Sequence, residues 1–449
     1  MRAIAVIAAG WREPAEVLAA FADEPWAIGF LSDGASAQGR WSLLTRRPDR
    51  TLTLRPGDGS DAFAALAELI GDPAPSLADG PPFQGGVAGL AGYDLGARVE
   101  PGALDAHAAW PDLACARYPA LLAFDHLSRT VTAIGRGDDQ AGARQTAEAA
   151  LEWLDAPSPP AFAGPLSPPP LASGGCDYQA AVAAVVARIA AGEIFQANIA
   201  RRWTGALSAG ARPYDLMARL AAASPAPFAA YLRLPDRALV SNSPERFVQV
   251  TAQAGGLTAR TQPIKGTRPR GVTAAADAAE AAALAASAKD RAENLMIVDL
   301  MRNDLARVCA AGGVKTPELF RVESFANVHH LVSTVTGALS PGRGAVDLLR
   351  AAFPPGSITG APKVQAMKVI AELEPPRGPF FGAMFWAGVD GCFDSSVLIR
   401  TVAFERAGDG WRFEARAGAG IVADSEPLAE RRETEAKISA ILRSLAGEA

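Results

Sequence analysis

From residue 228 onward, short β-prone apolar segments follow one another at hairpin distances, while helical stretches are gathered into blocks. This ordering restricts the fold more than any figure of composition. Strands are expected near 228–234, 238–241, 246–250, 257–264, 334–338, 397–404 and 411–417. Helices are expected at 178–191, 214–223, 274–308, 346–352, 362–373 and 428–445. Hairpin-linked strands with clustered helices predict an α+β protein with mostly antiparallel sheets.

One break interrupts the chain. Residues 156–175 are rich in proline, alanine and serine, with Pro168-Pro169-Pro170 near the middle, and such a run reads as an extended connector. It separates an N-terminal region, 1–155, from a larger part, 176–449. Before it, strand-like segments (50–54, 121–124, 131–134) alternate with Ala-rich helical ones (62–70, 141–154).

Composition narrows the function class. The chain has 449 residues, 49% hydrophobic and 20% charged, which is enough material for a large core. Its net charge of −5 argues against nucleic acid as the main ligand, although Arg268 and Arg270 could hold a small anion. Cys115, Cys176, Cys309 and Cys392 are scattered without CxxC pairing, so a reducing, cytoplasmic setting is expected and a zinc site is not. The apolar run 3–9 is too short to span a membrane and reads as a first strand.

Two strings imitate nucleotide-binding motifs and fail on context. Gly418-Ala419-Gly420-Ile421-Val422-Ala423 lacks the βαβ unit and the later acidic residue of a dinucleotide site. It is expected instead to be a glycine turn whose bare N–H groups approach an anion. Gly356 to Lys363 lacks the adjacent Gly-Lys-Ser/Thr of a phosphate loop. Ser357 and Thr359, ahead of Pro362 at a helix start, still suit an anion site. No cysteine sits in a Gly-x-Cys-x-Gly elbow, so the chain shows no glutaminase nucleophile of its own.

Titratable residues carry the remaining signal. Lys265 lies on a β-prone run ending in a Gly-Thr turn, and a lysine where water is scarce can lose its proton and act as a nucleophile. Asp290 and Glu293 are three apart on one helix, which places both carboxylates on one face. Glu430 and Glu433 repeat the spacing, with Lys437 further along the same stripe. If the pairs converge, such hard oxygen ligands suit Mg²⁺.

Taken in order, several strings resemble one family. They are Phe195-Gln196-Ala197-Asn198, Ser243-Pro244-Glu245-Arg246-Phe247, the run 260–271 around Lys265, residues 292–304, His330-Leu331-Val332-Ser333, residues 356–363, Ile399-Arg400-Thr401 and residues 418–425. Together they resemble the chorismate-utilising enzymes from about residue 176 to the end. Phe83-Gln84-Gly85-Gly86 and Gly92-Tyr93-Asp94-Leu95 resemble the family more loosely. Lysine at 265, within Pro-Ile-Lys-Gly-Thr, resembles the para-aminobenzoate branch, whereas the anthranilate branch carries alanine there.

The resemblance implies a fold of large stacked antiparallel sheets flanked by helices, with the N-terminal region packed into the body. It implies conversion of chorismate and ammonia to 4-amino-4-deoxychorismate, the ammonia coming from a separate glutamine amidotransferase subunit. It also implies Mg²⁺ held by Asp290, Glu293, Glu430 and Glu433. Lys265 is then the expected nucleophile and Glu245 the acid for the departing hydroxyl. Arg400, Lys437, Gly418, Gly420, Ser357, Thr359 and His330 are the expected substrate contacts. Trp386 stands roughly where relatives carry a tyrosine, so an indole is expected there in place of a phenol. Anthranilate or isochorismate synthesis, and a non-catalytic chorismate-binding scaffold, are the alternatives.

Overall fold

A computed structural model describes residues 1–34, 38–105, 109–173, 175–253, 255–324 and 328–448; the side chain of Cys176 lies outside the description. Among these residues, one antiparallel sheet carries twelve strands and a second carries ten. Both sheets draw on each side of the connector. Ile28–Leu31 pairs with Phe228–Arg233 in the larger sheet, and Gly86–Ala91 pairs with Ala383–Gly388 in the smaller.

The main core is built from both sheets. Leu43, Ile134, Leu232 and Leu239 of the larger sheet join Val87, Leu90, Phe247, Phe385 and Phe393 of the smaller, and Ile297, Val298, Met301 and Leu305 of helix Ala288–Ala306 close one end. Each such buried side chain contributes about 1.5–3 kcal/mol. A second core covers the other face of the larger sheet, with Leu216, Met217, Ile438 and Ile441 supplied by helices Pro213–Ala223 and Pro427–Ala446. A third small core packs helices Gly175–Ala190 and Lys363–Leu373 on strand Gln196–Ala206 through Val182, Val185, Ile199, Val369 and Ile370.

Three expected elements are broken where the sequence reads as continuous. The helix expected over 274–308 is two helices, Ala274–Ala286 and Ala288–Ala306, divided at Ser287, whose backbone is extended and whose hydroxyl accepts from the Asp290 N–H at 3.3 Å. The strand expected over 257–264 ends at Thr261 and restarts at Ile264, because Pro263 cannot donate to the ladder. The strand expected over 397–404 is two strands in different sheets. Phe393–Val397 belongs to the smaller sheet and Thr401–Ala407 to the larger, with Arg400 between them in the left-handed region at φ +50°.

This last break has a neighbour. Arg237–Ser243 lies in the larger sheet and Arg246–Gln253 in the smaller, so the chain also changes sheets at Pro244-Glu245. The two crossings are bonded to one another: the Val397 N–H donates to Glu245 O at 3.0 Å, and the Asn242 N–H to Arg400 O at 3.0 Å. Glu245 and Arg400 are therefore held where the chain passes between layers.

The proline-rich connector is anchored rather than loose. The Leu166 N–H donates to Leu445 O at 2.7 Å, Leu166 is fully buried, and Leu171–Ala172 forms a short strand against Trp203 and Thr204.

Candidate active site

Lys265 sits on strand Ile264–Pro269, beside Gly266 at φ +84°. That glycine is required twice, since the conformation disfavours a side chain and a Cβ there would lie 2.9 Å from Cβ and Cγ of Asp290. The Lys265 amine is aimed at strand Gly410–Ile421. A Cβ on Gly420 would stand 2.9 Å from its Nζ and 3.1 Å from Nε2 of Gln196. Burial draws the amine below the ordinary lysine range. Glu293 opposes that shift, Lys437 reinforces it, and Glu433 and Glu245 oppose it more weakly.

Glu245 is buried at its crossing, and the Ser357 hydroxyl donates to its Oε1 at 2.7 Å. Burial pushes the carboxyl up to about 7, against the opposing effects of the Ser357 hydrogen bond, Lys265 and Lys437. A buried carboxyl raised to about 7 thus lies near a buried amine whose pKa is lowered. That pairing fits general acid and nucleophile.

Around them lie the anion-binding groups. Arg400 is half-buried, and burial lowers its pKa; among the described residues it has no carboxylate partner. His330, buried on strand Val328–Leu339, pairs its Nδ1 with the Thr267 hydroxyl at 2.9 Å, and burial with the nearby Arg400 lowers it to about 4. Its imidazole is neutral at physiological pH. Lys437 donates to Gly418 O at 2.9 Å and pairs with Glu433 at 2.6 Å.

The carboxylates divide into two groups. Glu293, Glu430 and Glu433 are coupled through space. Burial raises Glu293 and Glu430, whereas the nearby lysines, Lys437 foremost, outweigh burial and hold Glu433 below the usual range. Asp290 departs from expectation, because its carboxylate is paired with Arg268 at 2.9 Å. Among the described residues no three carboxylates close around a single point, and Lys437 and Lys289 supply the positive charge between them. The donor set of Glu293, Glu430 and Glu433 nevertheless has the chemistry of a hard divalent cation site.

Other expectations are corrected by the packing. Gly418 and Gly420 lie within a strand, opposite Ala200 and Asn198, not in a turn. What they provide is missing side-chain volume, since a Cβ on Gly418 would lie 2.6 Å from Asn198 Oδ1. Thr359 is fully buried, its hydroxyl donating to Pro355 O at 2.8 Å and meeting the Tyr93 hydroxyl at 3.1 Å, so it braces the turn instead of facing a ligand. Lys363 points away, to Asp304 at 2.7 Å and Ala352 O at 2.6 Å. Trp386 packs in the main core with its ring 5.3 Å from Phe83, and among the described contacts none joins it to Lys265. Arg270 is held by Asp277.

The sequence matches the family of chorismate binding enzymes over residues 31–443. The chain belongs to that family. It is 41% identical to "Aminodeoxychorismate synthase component 1" of Klebsiella aerogenes, with 98% of this chain and 99% of the relative covered. It is 39% identical to "Anthranilate synthase component 1" of Streptomyces coelicolor, covering 94% and 84%. The anthranilate synthase component I structure from Streptococcus pneumoniae superimposes with a TM-score of 0.77 at 28% identity, over 91% of this chain and 93% of the other. The expected fold, stacked antiparallel sheets with flanking helices, is the fold of this chorismate-binding enzyme.

Two residues gain importance only from the structure. Gln196 is fully buried at the start of strand Gln196–Ala206, and neither Oε1 nor Nε2 of its amide has a hydrogen-bond partner among the described residues. Asn198 Oδ1 is buried and likewise has no hydrogen-bond partner among the described residues. Buried polar atoms are rarely left unsatisfied, so a side-chain amide beside Lys265 points to a ligand that completes it. The string Phe195-Gln196-Ala197-Asn198 marks the place in the sequence; the burial that gives it meaning does not show there.

Proposed function

We propose that this chorismate-binding enzyme replaces the C4 hydroxyl of chorismate by an amine, giving 4-amino-4-deoxychorismate. The observation that carries the reading is the proximity of two buried groups that act on one another, Lys265, whose pKa is lowered, and Glu245, whose pKa is raised to about 7. The 41% identity to an aminodeoxychorismate synthase component supports it.

Direct displacement at C4 would not keep configuration, and a covalent relay does. The neutral Lys265 amine adds at C2, the ring double bond shifts, and the C4 hydroxyl leaves as water with the Glu245 proton. Lys265 is then bound as a secondary ammonium. Ammonia adds at C4, the double bond returns, and Lys265 departs as the neutral amine. Glu245 carboxylate recovers its proton from the new C4 ammonium. Chorismate and ammonia are thereby consumed and water is released.

In this reading Arg400 and Lys437 hold the two carboxylates of the substrate, with neutral His330 near Arg400. Gln196, which approaches Gly420 beside the Lys265 amine, offers the substrate a carbonyl acceptor and an amide donor in this reading. Glu293, Glu430 and Glu433 would hold Mg²⁺, which when bound supplies positive charge for the ring carboxylate. Asp290 would join them only on release from Arg268. In this reading a separate glutamine amidotransferase supplies the ammonia, and the enzyme works in the cytoplasm; the free thiols of Cys115, Cys309 and Cys392 suit that compartment.

The 39% identity to an anthranilate synthase component gives the second reading, in which the amine stays at C2. Product identity separates the two. The purified chain with chorismate, Mg²⁺ and ammonium is expected to form 4-amino-4-deoxychorismate by mass. Anthranilate, isochorismate or no turnover overturns the assignment.

A further inference from the structure

We propose that Arg377 is the positioning residue of this active site, setting the distance between the strand that carries Gln196 and the turn that carries Ser357. The inference rests on the catalytic reading above, but its geometry can be tested apart from it.

Arg377 is 1% exposed. Its Nη2 donates to Asn198 O at 2.6 Å, two residues after Gln196, and its Nη1 to Ile358 O at 3.2 Å, the residue after Ser357. One rigid guanidinium thus bridges the backbone of the strand that carries Gln196 and the backbone of the turn that carries Ser357. The fork is fixed in turn. Nε and Nη2 bond Glu374 at 3.0 and 3.1 Å, and Glu374 Oε1 accepts from the Ala200 N–H at 2.6 Å, on the same strand as Gln196. The rings of Tyr93 and Phe381 lie on the guanidinium, each with its centroid 4.7 Å away. Asp94 accepts from the N–H groups of Arg377 at 3.2 Å and Gly378 at 2.8 Å.

The N-terminal region therefore enters the apparatus. Tyr93 stacks on the fork and meets the hydroxyl of Thr359 on the turn, while Asp94 holds the backbone from which the fork springs. A buried ion pair is a poor way to gain stability, because its desolvation offsets its attraction and apolar residues of the same volume do as well or better. What the planar fork adds is a fixed spacing between two carbonyls, which a lysine ammonium cannot reproduce. Downstream of that spacing lie the Ser357 bond to Glu245 and the amide of Gln196.

The test is Arg377→Lys, with Tyr93→Phe and Thr359→Val as milder variants, each assayed with chorismate, Mg²⁺ and ammonium across pH. For Arg377→Lys, kcat is expected to fall on the order of tenfold to a hundredfold while KM for chorismate stays within about twofold. The falling limb of the pH profile should move to higher pH as Glu245 loses the full Ser357 bond. Hydrogen exchange should rise within 196–200 and 355–361 and stay unchanged in the strands of the main core. A lowered melting temperature with kcat, pH limb and local exchange as in the wild type overturns the proposal. Should Arg377→Lys fail to fold, the two hydroxyl deletions decide: lower kcat at constant KM supports the role, and wild-type kcat overturns it. If the wild type itself makes no aminated product, the catalytic reading fails, and the exchange pattern still tests the spacing.

Discussion

A Cβ on Gly420 would stand 2.9 Å from Nζ of Lys265. The strand residue opposite Asn198 must be bare for the amine to reach its place, and the same absent side chain leaves room for the amide of Gln196. Gly420→Ala should therefore displace both groups while leaving the strand paired. We expect kcat to fall on the order of a hundredfold with little change in melting temperature. Wild-type turnover by Gly420→Ala would show that Lys265 does not act from this position.

Glu245 sets opposite demands on catalysis and stability. Its folded-state pKa, about 7, lies above the ordinary 4.5, so the folded protein favours the protonated form. The stability associated with that proton is fully present below about pH 4.5 and is lost as pH rises through 7. Glu245→Gln should match the wild type in denaturant melts below about pH 4 and exceed it by about 3 kcal/mol at pH 9. The same variant should lose the acid-catalysed step at every pH.

The rate should also depend on pH from the other side. Activity requires Lys265 neutral and so rises with pH up to its lowered pKa, while the need for protonated Glu245 reduces activity above about 7. With ammonia omitted, Lys265 should accumulate as a covalent adduct with the dehydrated ring, visible by intact mass, and Lys265→Ala should show none. A full-rate Lys265→Ala enzyme would exclude the relay whatever the product.

The carboxylates should separate in a magnesium titration. Glu293→Gln and Glu433→Gln are expected to raise the Mg²⁺ concentration needed for half-maximal activity by about tenfold or more, while Asp290→Asn, already committed to Arg268, should shift it far less. An equal shift in all three would return Asp290 to the metal site.

Trp386 offers a control. Its indole packs on Phe83 in the main core, so Trp386→Leu should lower stability by roughly 1–3 kcal/mol in denaturant melts and leave KM for chorismate unchanged. A selective rise in KM would place the ring at the substrate.

Much of this architecture can be read from local sequence, and the exceptions share a cause. Arg50–Leu54 and Ala62–Ile70 stand where alternation and helical period put them, because each buries one face on a neighbour. The helix break at Ser287 is concealed by an unbroken alanine-rich run; its one signal is Ser-x-x-Asp over 287–290, an N-cap spacing. The crossing at 398–400 is concealed because apolar residues flank Arg400 and Thr401 on both sides, Val397 to Ile399 before and Val402 to Phe404 after, and only tertiary pairing assigns the two halves to different sheets. In the site, Lys265 and Glu245 stand out by residue type and company. Gln196 and Arg377 do not, since an ordinary amide and guanidinium acquire their meaning from burial. Thr359 and Trp386 show the reverse, side chains suited by type to a ligand and directed by packing elsewhere.

The pairing of Ile28–Leu31 with Phe228–Arg233, and of Gly86–Ala91 with Ala383–Gly388, has a consequence for synthesis. During translation the first hundred residues cannot complete either sheet, and their apolar edges must wait for partners made some 200 to 300 residues later. Such long-range closure slows folding and exposes unpaired strands meanwhile. The unpaired edges persist until the last third of the chain has been made, and cutting it at the proline-rich connector would yield two fragments that each lack strands for both sheets.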